Sequence, residues 1–368
     1  MMTKKIRAIG AAVLVILWAV LTGLTWFTPA KDTSEAERRP LAQFPELTAQ
    51  TILDGKFMSK FEDYTLDQFP GRDLFRQLKS LTHYFVLRQK DNNDIYIVDG
   101  YAAKLDYPVR VDDLNHALNR LDYVYETYLK EQGSKVYMSV IPDKGYYLAE
   151  ANGYPAMDYT QLFDTVKEKL PFATHIDITD CLSAKDYYFT DTHWRQEALL
   201  PTARKISAAM GLSAALEEDF AKAKIDRPFY GVYYGQAALP MEPEDMYILE
   251  SDLLKDCQVY NFESGKYTPV YDMDKVSGKD PYDVYLSGAQ SLLRIETPNA
   301  ATDKELIIFR DSFGSSIAPL LVQDYKTVTL VDIRYIDSRI LGRFLEFNGQ
   351  DVLFLYSTLV LNSGTTLK

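Results

Sequence analysis

Three compact apolar runs near the C-terminus, KELIIF at 304–309, KTVTLVD at 326–332 and DVLFLY at 351–356, alternate with helical spacing over 317–322 and 338–347. Runs of that length are buried strands when turn residues bound them. Strands that alternate with helices pair in parallel, because each helix carries the chain back to the edge where the strand began. Right-handed crossovers follow, and with them an α/β core whose sheet is covered on both faces.

The alternation starts earlier. Residues 111–132 place Leu114, Leu118, Leu121, Val124, Tyr125 and Tyr128 at helical spacing, and Gly133 is a C-cap. KVYMSVI at 135–141 follows as a strand ending in Pro142-Asp143-Lys144-Gly145. A helix over 159–170 and a strand over 174–178 come next. The pattern over 194–210 is helical, with Pro201 kinking it or starting a new turn. NDIYIVDGYAAK at 93–104 reads as a hairpin turning at Asp99-Gly100. From 52 to 81 the apolar residues recur at helical spacing around a break at Pro70-Gly71, which predicts two helices. Arg72, just past the break, suits a structural ion pair. Residues 212–299 are less regular and Tyr-rich; they read as a β-rich insertion beside the α/β core.

At the N-terminus, Lys4, Lys5 and Arg7 precede 23 uncharged residues, 8–30. That length spans a bilayer as a helix. Basic residues on its leading side keep the N-terminus in the cytoplasm. The run is longer than the apolar region of a cleaved signal peptide, and no crisp small-x-small cleavage site precedes Lys31. The expectation is a single-pass protein of the cell membrane. Residues 1–30 are the cytoplasmic stub and signal-anchor transmembrane helix, 31–51 a juxtamembrane linker, and 52–368 an extracytoplasmic catalytic domain with its insertion at 212–299.

The chain carries 40 Lys and Arg against 52 Asp and Glu, a net charge of −12, which argues against nucleic acid as a partner. Its 27 Tyr and 18 Phe supply a large core, and aromatic rings also pack on the C–H faces of sugars. Cys181 and Cys257 fit no metal spacing, and the sequence leaves open whether they pair. No metal or cofactor motif is present.

Two motifs carry chemistry. In YYFTDTHW at 187–194, Asp191 and His193 stand two residues apart, so in an extended segment both side chains turn to one side. A carboxylate there binds one ring nitrogen and leaves the other free to take a proton. Of the four histidines (His83, His116, His175 and His193), only His193 has a carboxylate two residues before it and a Trp after it. Alone, such a pair is most often a surface turn. The second motif, RDSFGSS at 310–316, puts Ser312 between a strand and a helix, with its hydroxyl at the C-terminal edge of the sheet. The first N–H groups of the helix are then oxyanion donors. A helix cap is the competing role for Ser312, and Ser315 and Ser316 lie inside the helix.

Together the motifs supply a nucleophile, a base and an orienting acid at one sheet edge. Lys144, Arg310, Arg334, Tyr188 and Trp194 are the candidate substrate contacts. A salt-bridged loop competes for Lys144, a structural ion pair for Arg310, and packing that holds the loop for Trp194.

These motifs resemble the SGNH hydrolase-like superfamily, in the branch of the alginate O-acetyltransferase AlgJ/AlgX proteins and the DHHW proteins. The resemblance runs through GKFMSKFEDYTLDQFPGRD at 55–73, VYMSVIPDK at 136–144, YYFTDTHWRQEA at 187–198, PFYGVYY at 228–234, YLSGAQSLLRIE at 285–296 and IIFRDSFGSSIAPLL at 307–321. In this branch the acid–His motif precedes the Ser motif, the reverse of ordinary SGNH hydrolases, and the chain follows the permuted order. It departs at Arg310, where the Gly of a Gly-Asp-Ser turn is usual, and at Glu197, where a Gly often stands. The Gly and Asn that complete a standard oxyanion hole have no counterpart placed in this sequence.

The resemblance implies an SGNH hydrolase-like, flavodoxin-like parallel sheet flanked by helices. It implies Ser312 as acyl-accepting nucleophile, His193 as general base and Asp191 as orienting acid, with no cofactor. It implies an acetyl ester on an extracytoplasmic polysaccharide as product, and a separate membrane-bound O-acyltransferase that delivers the acetyl group. A carbohydrate acetylesterase of the same fold and a non-catalytic glycan-binding assembly factor are the alternatives.

Overall fold

The computed structural model describes residues 2–34, 36–213 and 219–368. Position 35 of the expected linker and positions 214–218 of the expected insertion lie outside the described residues. The chain divides into two compact units, Met1–Asn92 with Gly235–Pro240, and Asn93–Tyr234 with Met241–Lys368.

The first unit begins with helix α1, Met2–Phe27. Its segment Lys5–Phe27 is long and apolar enough to cross a membrane. A helix of this kind near an N-terminus serves as an anchor or as a signal sequence. Helices α2 (Ala49–Leu53), α3 (Lys56–Asp67) and α4 (Arg72–Leu81) follow, and a π-turn, Thr82–Val86, continues α4. Two helices were expected over 52–81, but Gly55 breaks the run as well as Gly71. Both glycines adopt positive φ (74° and 69°), which an L side chain resists. Polar pairing joins these pieces. Arg39 grips Asp67 with two bonds of 2.8 and 2.6 Å, and Arg72 pairs with Glu37. The Arg39 guanidinium holds the Asp67 carboxyl down to about 2. Phe44 packs edge-on against Phe57, Phe61 and Tyr64, with centroids 5.4–6.3 Å apart.

The second unit is built on one eight-stranded sheet. Its strands in chain order are β1 (Val136–Ile141), β2 (Thr174–His175), β3 (Gln258–Asn261), β4 (Lys266–Thr268), β5 (Leu292–Glu296), β6 (Glu305–Arg310), β7 (Thr327–Val331) and β8 (Asp351–Ser357). They lie in the order β4-β3-β5-β7-β6-β8-β1-β2. From β7 to β2 every pair is parallel. Counted from β6, these five strands take the order second, first, third, fourth, fifth. That is the doubly wound, flavodoxin-like arrangement, and this chain enters it at the fourth strand.

Alternate residues of β6 show why the sheet is covered on both sides. Leu306 and Ile308 join one buried cluster, with Trp194 and Ile317. Ile307 and Phe309 join the other, with Leu114, Leu118 and Leu121. Successive side chains of a strand point to opposite faces, so a continuous apolar run has to be buried twice. Each such side chain contributes about 1.5–3 kcal/mol over its exposed state.

Several elements differ from expectation. The strand over 174–178 shrinks to two residues at the sheet edge. The helix expected from Trp194 starts at Leu200, with Pro201 in its first turn. Proline is tolerated in a first turn, where its missing N–H would have no partner within the helix, so it suits the start and not the middle of one. Trp194 instead bridges back to Tyr187. Within 212–299, β3, β4 and β5 extend the main sheet with antiparallel strands rather than lying beside it. β5 pairs with β7 from Leu292 opposite Val331 to Glu296 opposite Thr327. The rest of that segment includes a two-stranded ribbon, Ala221–Phe229 with Glu244–Glu250. Cys181 and Cys257 are free thiols.

Candidate active site

The turn after β6 is tied down by Asp311, which is fully buried. Its Oδ1 accepts the Phe313 N–H (3.0 Å), and its Oδ2 accepts the Ser357 N–H at the end of β8 (2.8 Å). Gly314 fits because a Cβ there would stand 2.6 Å from that of Arg310. Strand β6 lies between β7 and β8, where the crossovers part to opposite sides, and such a switch point opens a crevice at the strand ends. Ser312 sits at that point.

The N–H groups expected as oxyanion donors are mostly committed. Phe313 donates to the Asp311 side chain, Gly314 to the Asp311 carbonyl (3.1 Å) and Ser315 to the Ser312 carbonyl (3.1 Å). The helix here, Gly314–Ile317, is a single turn that closes on itself. Among the described residues of this turn, the Ser312 N–H makes no hydrogen bond.

The loop 187–194 is pinched shut by the Tyr187–Trp194 bridge and by the Tyr188 N–H on the His193 carbonyl (3.1 Å). Asp191 is buried within it. Its Oδ1 stands 2.6 Å from His193 Nδ1 and accepts the His193 N–H (3.0 Å), while its Oδ2 accepts the Val232 N–H (2.8 Å). Gly231 allows this approach, since a Cβ there would come within 2.3 Å of Asp191. His193 Nε2 lies 2.7 Å from Ser312 Oγ. With the Nδ1 proton shared toward the carboxylate, Nε2 is the acceptor and the serine hydroxyl donates to it.

Further groups hold this chain in register. The Tyr282 ring stacks on the His193 imidazole at 3.9 Å and 9°. Its hydroxyl donates to Ser316 Oγ (2.7 Å), which also accepts Trp194 Nε1–H (2.9 Å). Trp194 Nε1 lies 3.1 Å from the Phe313 carbonyl as well, so the indole joins the base loop to the nucleophile turn. Behind the loop, Lys144 Nζ donates to the carbonyls of Tyr188 (2.9 Å) and Phe189 (3.3 Å). Glu244 accepts the Thr190 N–H (3.1 Å) and an Arg195 N–H (3.0 Å). Burial pushes the Lys144 ammonium down to about 7, against the pull of Asp191, Glu244 and Asp143. Burial also raises the Glu244 and Asp143 carboxyls.

The fold therefore gathers Ser312, His193 and Asp191, and of the other five candidates Trp194 and Lys144 brace the base loop from inside. Lys144, Arg310, Tyr188 and Trp194 are all buried, at 2% exposure or less, and are out of reach of a molecule arriving from solvent. Arg310 belongs to β6 and points among its neighbours, 3.3 Å from the Asp311 carbonyl and 4.0 Å from Asp332. A charge inside a covered sheet turns to its nearest carboxylate, because desolvation otherwise opposes it. Arg334 is spent in a two-pronged pair with Asp332 (2.9 and 2.6 Å). Asp311, Tyr282 and Glu244 were missed as site residues, and Ser316, a rival nucleophile by position, instead accepts from Tyr282 and Trp194. For Asp311 the signal was present, in its place beside Ser312. Tyr282 has none, because it reaches His193 from a distant segment.

Comparison with known proteins adds to this geometry. Residues 180–331, which contain both motifs, match the family model described as DHHW protein. No curated protein matches the sequence. Among solved structures, a DHHW family protein from Eubacterium siraeum is 21% identical, covers 75% of this chain and 94% of its own, and has a TM-score of 0.60. Bacillus cereus PatB1, solved with a sulfonyl adduct, is 17% identical, covers 74% and 96%, and has a TM-score of 0.58. The O-acetyltransferase domain of Pseudomonas putida AlgJ is 14% identical, covers 73% and 92%, and has a TM-score of 0.44. The likenesses above 0.5 establish the fold, an α/β sheet flanked by helices as expected from the sequence.

Proposed function

We propose that this protein is an extracytoplasmic polysaccharide O-acetyltransferase that works through an acetyl-Ser312 intermediate. The observation that supports it is the continuous hydrogen-bonded chain from Asp191 through His193 to Ser312. In the first half-reaction Ser312 Oγ attacks the donor's acetyl carbonyl, and its proton passes to His193 Nε2. The donor's leaving group departs with that proton, leaving the acetyl ester on Ser312. In the second half a sugar hydroxyl attacks the ester and gives its proton to His193, which returns it to Ser312 Oγ as the acetyl–Oγ bond breaks. Asp191 holds the ring and offsets the charge of the imidazolium. The free Ser312 N–H supplies one donor to the oxyanion of each step.

On this reading α1 is a membrane anchor and the site faces outward. A membrane-bound O-acyltransferase supplies the acetyl group.

Purified full-length protein incubated with an activated acetyl ester is expected to carry acetyl on the Ser312 peptide by mass spectrometry, and the Ser312→Ala protein is not. PatB1 was solved with a sulfonyl adduct, and here a sulfonyl fluoride is expected to modify Ser312 alone. Adding glycan should move the acetyl group to sugar. Free acetate with no glycan ester would assign an esterase instead. Unchanged glycan acetylation in cells carrying Ser312→Ala would leave a non-catalytic binding factor.

A further inference from the structure

Helix α4 and its π-turn carry an apolar stripe that nothing in their own unit covers. Leu74, Phe75, Leu78, Phe85, Val86 and Leu87 are 46–71% exposed. Leu74, Leu78 and Phe85 recur at helical spacing, which puts them on one side. The opposite side is fixed. Arg76 donates to the Gly235 carbonyl (2.8 Å), and buried Ser80 accepts from Asn92 (2.7 Å). The helix therefore cannot roll its stripe inward.

Charge and tether indicate what covers it. In a chain of net charge −12, residues 72–90 hold Arg72, Arg76, Lys79, Arg88 and Lys90 against Asp73 alone. Arg72 and Arg76 turn to Glu37, while Lys79, Arg88 and Lys90 are exposed. Helix α1 ends at Phe27, and four residues on, the backbone of Lys31 is clamped to Gln68 by two reciprocal bonds of 2.9 Å. Four residues beyond Gln68, α4 begins. Four residues of chain span at most about 14 Å, so the clamp keeps the start of α4 within about 30 Å of the end of α1.

We propose that the outer face of α4 and its π-turn lies on the bilayer surface, its apolar stripe among the lipid chains and its basic residues on anionic headgroups. With α1 this makes a two-point mount. A basic, strongly amphipathic helix takes up that position by apolar burial together with attraction to anionic lipid. The inference rests on α1 being an anchor, and is independent of the chemistry at Ser312.

The test uses the full chain in vesicles. A fluorophore is placed at Leu78→Cys in a Cys181→Ser background, with a control label at exposed Asp112→Cys. Vesicles hold phosphatidylcholine with roughly a third phosphatidylglycerol, or phosphatidylcholine alone, with or without doxyl-labelled lipid. Doxyl lipid is expected to quench the Leu78 label at least about twofold more than the Asp112 label, and less without phosphatidylglycerol. Adding Leu74→Glu and Phe85→Glu should bring the Leu78 label down to the control level. Hydrolysis of a soluble acetyl ester should persist in that variant, which separates loss of the mount from loss of the site. A Leu78 label quenched no more than the control overturns the proposal. So does a Leu78 label shielded from water yet unquenched by lipid, which would assign the stripe to a protein partner or a second copy. Recovery of a membrane-free mature chain beginning after α1 overturns it as well.

Discussion

The turn that carries Ser312 is held by its immediate neighbour Asp311, through Phe313 and the end of β8. The loop that carries His193 depends on residues far away in the chain: Lys144 behind it, Val232 and Glu244 on Asp191 and Thr190, and Tyr282 on the imidazole ring. The acid that sets the nucleophile turn is its neighbour in the chain, although Trp194 and Tyr282 also reach the turn through Phe313 and Ser316. A base built from four separate segments exists only when the whole unit has folded. The nucleophile should therefore fail through single local changes, and the base by degrees.

Removing the nucleophile has the largest expected effect. Ser312→Ala should lower acetyl transfer by about 10⁴-fold or more, measured as initial rates, with the fold intact by circular dichroism. Asp311→Asn tests the local clamp. Its side chain keeps one acceptor for two backbone N–H groups, and losing a charge-assisted bond of about 1.5–3 kcal/mol should cut kcat about 10–100-fold. If that variant is as active as the parent, the turn is held by something else.

Lys144→Met probes the distant side. The folded ammonium titrates at about 7, below its ordinary 10.5, so between those values the unfolded chain binds more protons than the folded one. Stability from this group therefore rises with pH across that window, by up to about 1.4 kcal/mol per unit. Denaturant unfolding at stepped pH should show this rise in the parent and its loss in the variant. An unchanged slope would remove Lys144 as its source.

Changes at Tyr282 should have the smallest effects. In Tyr282→Leu, losing a stacked ring worth about 0.5–1.5 kcal/mol should lower kcat/KM by up to about tenfold. Tyr282→Phe, which keeps the stack and loses only the Ser316 bond, should fall in between. Equal losses in both would make the hydroxyl, and not the ring, the holding group.

The contrast also explains what could be read in advance. Asp191, His193 and Ser312 were legible because each sits in a short motif whose spacing carries its own geometry. Of the five candidate substrate contacts, Lys144, Arg310, Tyr188 and Trp194 are buried and Arg334 pairs with Asp332, because proximity in sequence says nothing about which way a side chain turns. Arg310 is next to Asp311 in the chain, yet it points into the covered sheet. Lys144 stands at a strand end as expected, yet it serves the loop from behind.

The sequence by itself determined the α/β class, the apolar N-terminal helix, the permuted order of the motifs and the three residues of the hydrogen-bonded chain. Local spacing and a two-face apolar pattern are enough for each of these. Only the tertiary packing settles that β3, β4 and β5 join the main sheet and that Tyr282 covers His193. Those outcomes depend on contacts between segments far apart in the chain. Such contacts are chosen by packing and by the need to pair every buried polar group, and neither is visible to a local pattern.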